Sequence, residues 1–285
     1  MTPGECEPEW NFREVRVQEK NQAALLGMAQ KFRLFLLTGI VLFFTLPLSS
    51  SFARESAETI LKKLDAHYYY PQEHGLFKVS VQIDWEQLDT TADSKRYLKN
   101  PPLAFFWEKG GVPLSRGGFK LADESFEISV QRKNELLAML ENYKEVVIPQ
   151  TLVEKMSDYK GKVTVAKGRR GLMEFSSLDP NATIRKYDLV VDLAQKNVRR
   201  FRVKRSGAPT EVKSDVRYAQ KGGKWLFAES RSTFRMGEMD YNEITEFVYR
   251  QVQNFWLVGK MTQTIKTDDR IIQSFIFRFR DYKIN

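Results

Sequence analysis

Apolar and polar residues alternate over most of the chain, and the period of that alternation changes in a readable order. Phe77, Val79, Val81, Ile83 and Trp85 alternate with Lys78, Ser80, Gln82 and Asp84. Period two marks a strand with one covered face and one wet face, as in an antiparallel sheet. Just before it, Ala57, Ile60, Leu61 and Leu64 fall at i, i+3, i+4 and i+7, which is one face of a helix. Ser56 suits its N-cap, and Pro71, after Tyr68-Tyr69-Tyr70, stops it. Residues 89–116 are irregular, with a strand predicted at Leu103–Trp107 and another at Phe119–Val130. Helical spacing returns in two stretches. Leu136, Leu137, Leu140 and Tyr143 share one face, and Leu152, Val153, Met156 and Tyr159 share another. Pro149 suits the first turn of the second helix and Gly161 its end.

From Lys162 onward the pattern predicts strand after strand: 162–167, 171–177, 183–193, 198–205, 212–220, 224–235, 241–250, 255–266 and 270–280. Lys196-Asn197, Ser206-Gly207-Ala208-Pro209, Gly222-Gly223 and Asp268-Asp269 supply the turns. The connections are too short for a parallel return, so neighbours must be antiparallel. The predicted fold is α+β and mostly β. It is a curled antiparallel sheet of about ten strands, an incomplete barrel, with three helices covering its concave face.

The first 53 residues follow different rules. Lys31 and Arg33 precede an apolar run, Leu34–Leu46, broken by Pro47 and followed by Ser49, Ser50 and Ser51. Ser51-Phe52-Ala53 places small residues where a signal peptidase cuts. Residues 28–53 are therefore expected to be a secretory signal, with Met28 as its start. Residues 1–27 are expected to be a disordered leader or a mis-assigned start, and 54–285 a single exported domain in the periplasm. The alternative is an uncleaved inner-membrane anchor over the uncharged stretch 34–53, close to the about 20 residues a bilayer crossing needs. Cys6 is the single cysteine and precedes the signal. No disulfide, thiol chemistry or lipidated cysteine is then expected after the cut.

Charge refines this reading. The formal net charge is +9. Five basic and five acidic residues cancel in the first 53, so the excess belongs to 54–285. In an exported protein that excess does not mean nucleic acid; it is a generally solvated basic surface or, alternatively, an affinity for anionic lipid head groups or an acidic partner. Arg200, Arg202 and Lys204 alternate with Phe201 and Val203 on one strand. They are the candidate contact for such a surface; otherwise they are the wet face of an exposed strand, or charges guarding a sheet edge. His67 and His74 lack an acidic partner at metal-ligand spacing. No nucleophile elbow, Walker loop, dinucleotide fingerprint or H-E-x-x-H occurs. Asp188, Asp192, Glu229, Glu238 and Asp240 are carboxylates that a glycosidase would have to pair, but strand-face charges are mostly solvated. No catalytic residue, cofactor or metal is expected, and a monomer is.

The aromatic residues carry more information. Phe275, Phe277 and Phe279 line one face of the last strand, Trp256 opens the strand before it, and Trp225 and Phe227 sit two strands earlier. With Val81, Ile83 and Trp85 on the first strand they are the candidate lining of a slot for an apolar ligand. The obvious apolar cargo of an aqueous compartment is an acyl chain, which gains about 0.8 kcal/mol per buried methylene. The competing reading is a packed core and an envelope-assembly module without a cavity.

Several segments carry a family resemblance. The helix Ala57–Leu64 followed by the strand Phe77–Trp85, and the pair Asp188–Asp192 and Val198–Val203, resemble the LolA-like outer-membrane lipoprotein-sorting proteins. Asn254-Phe255-Trp256-Leu257-Val258-Gly259-Lys260 resembles their n-g-f-w-l-p-k strand opening, with Val258 in place of proline. Phe279-Arg280-Asp281-Tyr282-Lys283-Ile284-Asn285 resembles their f-x-d-y-k-v-n ending. The resemblance implies an incomplete antiparallel barrel with a helical lid. It implies acyl chains of lipids or lipoproteins as cargo, taken from an inner-membrane donor to an outer-membrane acceptor. N-terminal sequencing of the exported protein is expected to start at Arg54; another start overturns the assigned cut.

Overall fold

The computed structural model describes residues 55–90, 96–110, 117–122, 129–141, 143–165 and 170–284. Residues 1–53, read from the sequence as a leader and a signal, lie outside the described residues. The domain spans Arg54–Asn285. Its helices are α1 (Ala57–Asp65), α2 (Val130–Glu141) and two single turns, α3 (Lys144–Val147) and α4 (Leu152–Lys155), with a 3-10 turn at Pro71–His74. Ser56 caps α1 through its Oγ, which accepts the Thr59 N–H at 3.1 Å.

The strands are β1 (Lys78–Leu88), β2 (Tyr97–Lys99), β3 (Leu103–Glu108), β4 (Gly118–Leu121), β5 (Tyr159–Val165), β6 (Arg170–Ser177), β7 (Ile184–Asp192), β8 (Asn197–Arg205), β9 (Glu211–Lys221), β10 (Lys224–Met236), β11 (Met239–Val252), β12 (Phe255–Thr267) and β13 (Arg270–Ile284). They form one antiparallel sheet of 13 strands in the order β4-β3-β1-β13-β12-β11-β10-β9-β8-β7-β6-β5, with β2 beside β1. The sheet does not close on itself, so the incomplete barrel holds and the count of about ten is corrected to 13. Strand β2 is a three-residue hairpin arm inside the irregular 89–116 stretch, too short for period two to register. The strand expected at Phe119–Val130 stops at Leu121, and Val130 begins α2. The helix expected around Leu152–Tyr159 is one turn long. Thr151 and Glu154 form a capping box at its start, and Tyr159 already belongs to β5.

Gly161 lies within β5, not at a helix end. A Cβ there would stand 2.6 Å from the Ala57 Cβ and 2.7 Å from the Phe175 ring. Glycine at this position lets α1 lie directly on the sheet. Bulges fall beside Phe227 in β10, between Val190 and Val191 opposite β8, and between Val248 and Tyr249 opposite β12. Each adds local twist and bends the sheet.

The covered face carries two separate apolar cores. The first lies on β1, β3, β12 and β13 under Leu140 and Val147, and contains Val81, Ile83, Trp85, Phe105, Met261, Phe275, Phe277 and Phe279. Trp85 stacks on Phe277 at 5.9 Å and donates its indole N–H to the Pro101 carbonyl at 2.9 Å. The second lies under α1 on β5 to β8, with Ile60, Leu61, Leu64, Met173, Phe175, Leu189, Val191 and Val198. Between them Tyr218, Phe227, Phe247 and Tyr249, on β9 to β11, are only partly buried. Replacing Gly161 by valine is expected to push α1 off β5 and cost about 1–3 kcal/mol. Thermal unfolding checks this, and an unchanged melting temperature would show that α1 is free to shift.

Candidate functional site

The space between the two cores is a cavity of about 420 Å³. Its floor is the covered face of β7 to β12, and Pro149, Gln150 and the turns α3 and α4 roof it. Tyr68, Tyr187, Phe201, Val203, Tyr218, Trp225, Phe227, Phe247, Tyr249, Trp256, Leu257 and Val258 form most of the wall. The bulge opposite Tyr249 lets Leu257 and Val258, adjacent in sequence, both be buried beside it.

The tyrosine run fixes one side. Tyr68 and Trp225 form a parallel bridge, with the Trp225 N–H donating to the His67 carbonyl at 2.7 Å and the Tyr69 N–H to the Trp225 carbonyl at 2.9 Å. The Tyr68 hydroxyl donates to that of Tyr218 at 3.1 Å and accepts the Val198 N–H at 2.8 Å. The Tyr69 hydroxyl accepts the Trp256 N–H at 3.0 Å, and the Tyr249 hydroxyl donates to the Phe227 carbonyl at 2.9 Å. Burial raises the phenols, Tyr68 to about 12 and Tyr187, Tyr218 and Tyr249 higher still. They are neutral at ordinary pH, so the aromatic wall carries no charge.

Asp65 ties the roof to α1. Its carboxylate accepts the Tyr70 hydroxyl at 2.6 Å, the Leu152 N–H at 2.8 Å and the Val153 N–H at 3.0 Å. Tyr70 and the α4 turn are thereby held by one group. Two charged residues line the cavity, Glu145 on α3 and Lys155 on α4, paired at 2.6 Å across the roof.

Of the residues singled out in the sequence, Trp225, Phe227 and Trp256 line the cavity. Val81, Ile83, Trp85, Phe275, Phe277 and Phe279 do not. They lie in the neighbouring core on β1 and β13, together with Leu140 of α2 and Val147 of α3. Arg200, Arg202 and Lys204 stand on the opposite face of β8 from Phe201 and Val203. There Arg200 pairs with Asp215 at 2.7 Å, and Arg202 pairs with Asp188. Because β8 lies between β7 and β9, the stripe guards no edge. Asp188 is only 1% exposed, between Lys186 at 3.0 Å and Arg202, so it is not the solvated charge expected. Asp192 caps the 193–196 turn, Glu229 pairs with Arg217 and Arg231, and Asp240 faces Arg235. His67 contacts the Lys63 carbonyl, and His74 stacks on Tyr69 at 4.7 Å.

Two groups were missed by reading the sequence. The first is the wall pair Phe201 and Val203, legible as the other face of the basic stripe. The second is a polar row on the same face as Phe247. Ser214 and Ser232 contact at 2.7 Å, Ser230 lies opposite Thr245, and Thr245 opposite Gln263, whose side-chain oxygen accepts the Tyr143 hydroxyl at 2.6 Å. Aligning period two across strands β9 to β12 would have found this row.

Three ammonium groups outside the lining stand close to wall residues or their neighbours. Lys221 sits 5.0 Å from the Trp256 ring, Lys224 donates to the Ala66 carbonyl, and Lys196 Nζ lies 3.1 Å from His67 Nε2. Among the described residues none of the three forms an ion pair with a carboxylate. No group of histidine, cysteine and carboxylate residues able to hold a metal occurs among the described residues. No helix among them is long and apolar enough to cross a membrane.

No protein-family model and no curated protein matches the chain. Among solved structures it is similar to a LolA superfamily protein of Nitrosomonas europaea, at 10% identity and a TM-score of 0.33, covering 81% of this chain and 94% of that one. It is also similar to an outer membrane lipoprotein-sorting protein domain of Vibrio parahaemolyticus, at 10% identity and a TM-score of 0.30, covering 80% and 92%. A third match is in the MucA/MucB complex of Pseudomonas aeruginosa, at 8% identity and a TM-score of 0.19, covering 80% and 93%.

Burial raises Asp65 above its usual 3.8, against the three hydrogen bonds that lower it. The folded protein therefore holds a proton here more readily than the unfolded chain. The resulting stability is present at low pH and is lost as pH rises through the folded value. Urea unfolding at about pH 4 and about pH 6 is expected to show the native chain losing more stability than Asp65→Asn over that interval. Equal losses would show that the carboxyl is not the raised group.

Proposed function

We propose that this chain is a periplasmic carrier, not an enzyme, that holds acyl chains of lipids or lipoproteins between its two cores and passes them toward the outer membrane. The observation that carries this reading is the cavity itself. It is about 420 Å³, within the range of about 300–1,000 Å³ typical of small-molecule sites. Its wall is aromatic and aliphatic, and its phenols are neutral. Such a surface recognises no particular functional group; it rewards whatever apolar area is removed from water, at about 0.8 kcal/mol per methylene. The export signal read at 28–53 and the sequence resemblance to lipoprotein-sorting proteins support the same reading. They add an inner-membrane donor and an outer-membrane acceptor as its partners. An envelope-assembly module with a filled interior would leave no reason for the gap between the cores.

Native mass spectrometry of protein purified from its own periplasm is expected to find bound lipid, and the emptied protein is expected to take up a fluorescent fatty acid. Finding neither overturns the carrier reading. Val203→Trp places an indole on the cavity wall. Displacing even two methylenes of ligand at about 0.8 kcal/mol each weakens uptake about tenfold. Unchanged uptake by a folded variant would place the acyl chain elsewhere.

A further inference from the structure

The cavity walls present neutral groups almost throughout, and one ion pair. Burial keeps Tyr68, Tyr187, Tyr218 and Tyr249 protonated. Against this background Lys155 and Glu145 are the charged side chains of the lining. They belong to different single-turn helices, so their contact at 2.6 Å spans the roof across Ile148–Thr151. Their side chains are 33% and 44% exposed, enough water for either partner to be exchanged without leaving a buried unpaired charge. A pair this exposed contributes little to stability, so its place on the lining asks for another explanation.

We propose that Lys155 anchors the head group of a single-chain anionic amphiphile, a carboxylate or phosphate whose tail lies between the two cores, and that Glu145 occupies the ammonium until that head arrives. This rests on the carrier reading and names the ligand class of the same cavity. The choice of an anion over a cation comes from a second, independent observation. The domain holds a +9 excess. Lys221 stands over the ring of the wall residue Trp256, Lys224 precedes the wall residue Trp225, and Lys196 contacts His67 beside Tyr68. Among the described residues none of the three has a carboxylate within ion-pair distance, Glu73 acting on Lys224 only from further off. Each uses one contact to a ring, a carbonyl or an imidazole, and an ammonium has three donors. The positive excess of the domain favours an anionic head over a cationic one. The geometry agrees. Lys155 follows Leu152 on α4 and precedes Met156, both on the wall, so its stem lies along the apolar surface while its amine stays at the water boundary. Glu145, the more exposed of the two, turns out to solvent when displaced.

The test uses three probes of equal chain length, palmitate, hexadecyl phosphate and hexadecanol, titrated into the delipidated full domain at low and high salt. Lys155→Met is expected to weaken palmitate and hexadecyl phosphate about tenfold, the lower bound for a charge-assisted hydrogen bond, and to leave hexadecanol within about twofold. Lys155→Arg is expected to keep the anionic probes bound. Glu145→Gln is expected to tighten them several-fold, and salt to weaken them but not the alcohol. If Lys155→Met weakens all three probes alike, or none, Lys155 is a roof clasp only and the anchor is overturned, while the carrier reading stands. If hexadecyltrimethylammonium binds more tightly than palmitate, the sign is wrong and the proposal fails. If no probe binds the native domain, the acyl cavity itself fails and the anchor with it.

Discussion

A sheet with one wet face must hide the other, and the cover available here is short. Thirteen strands stand side by side, yet among the described residues only α1 and α2 exceed a single helical turn. Each covers one end. Under α1 the side chains of β5 to β8 close into a core; under α2 and α3, those of β1, β3, β12 and β13 close into another. The middle strands are left with aromatic side chains roofed, among the described residues, by the single turns α3 and α4 and the segment between them. Hydrophobic burial and close packing normally go together. In this domain they separate over β9 to β11, and the cavity is the outcome of that shortage.

Keeping such a space open requires a rigid roof. The Tyr68–Tyr70 run supplies it by entering the hydrogen-bond pattern of the sheet: Tyr68 bridges to Trp225, and the hydroxyls of Tyr68 and Tyr69 take backbone N–H groups from β8 and β12. Asp65 then gathers Tyr70 and the first N–H groups of α4. A buried carboxylate is costly unless its oxygens are occupied, and three donors occupy these. The same residues that define the wall thus hold the roof at a fixed height. On the reverse face, charge is spent within the sheet: Glu174, Lys186, Asp188, Arg202 and Glu211 form a continuous ladder across β6 to β9.

The fold was legible because period two and short turns leave few topologies, and from β5 to β13 the strands follow one another in space as in sequence. The pairing of β1 with β13 was not, since nothing local announces a partner at the other end of the chain. Within the site, Trp225, Phe227 and Trp256 were identifiable as aromatic residues of the covered face. Val81, Trp85, Phe275 and Phe277 lie in the core beside the cavity, and the sequence does not separate the two places, for one reason. Alternation tells which face a residue takes but not whether a helix lies over it. Phe277 under Tyr143 and Phe227 under open space look alike in sequence. For a related reason alternation along β8 does not show that Arg202 pairs with Asp188, which sits on the neighbouring strand.

The place of β1 also governs the order of assembly. It lies between β3, a short hairpin away, and β13, where Val79 comes to rest opposite Ile284. Strands β5 to β13 can zip up from neighbour to neighbour with small loop-closure cost, but β1 must close a loop almost as long as the domain. Until the last strand exists, Trp85, Val81 and Ile83 have only half of their core. A chain arranged in this way completes the core on β1 and β13 last, once the final strand has been delivered. Its least protected interval falls between emergence of the first strand and arrival of the last, when an apolar strand with a free edge is exposed to aggregation.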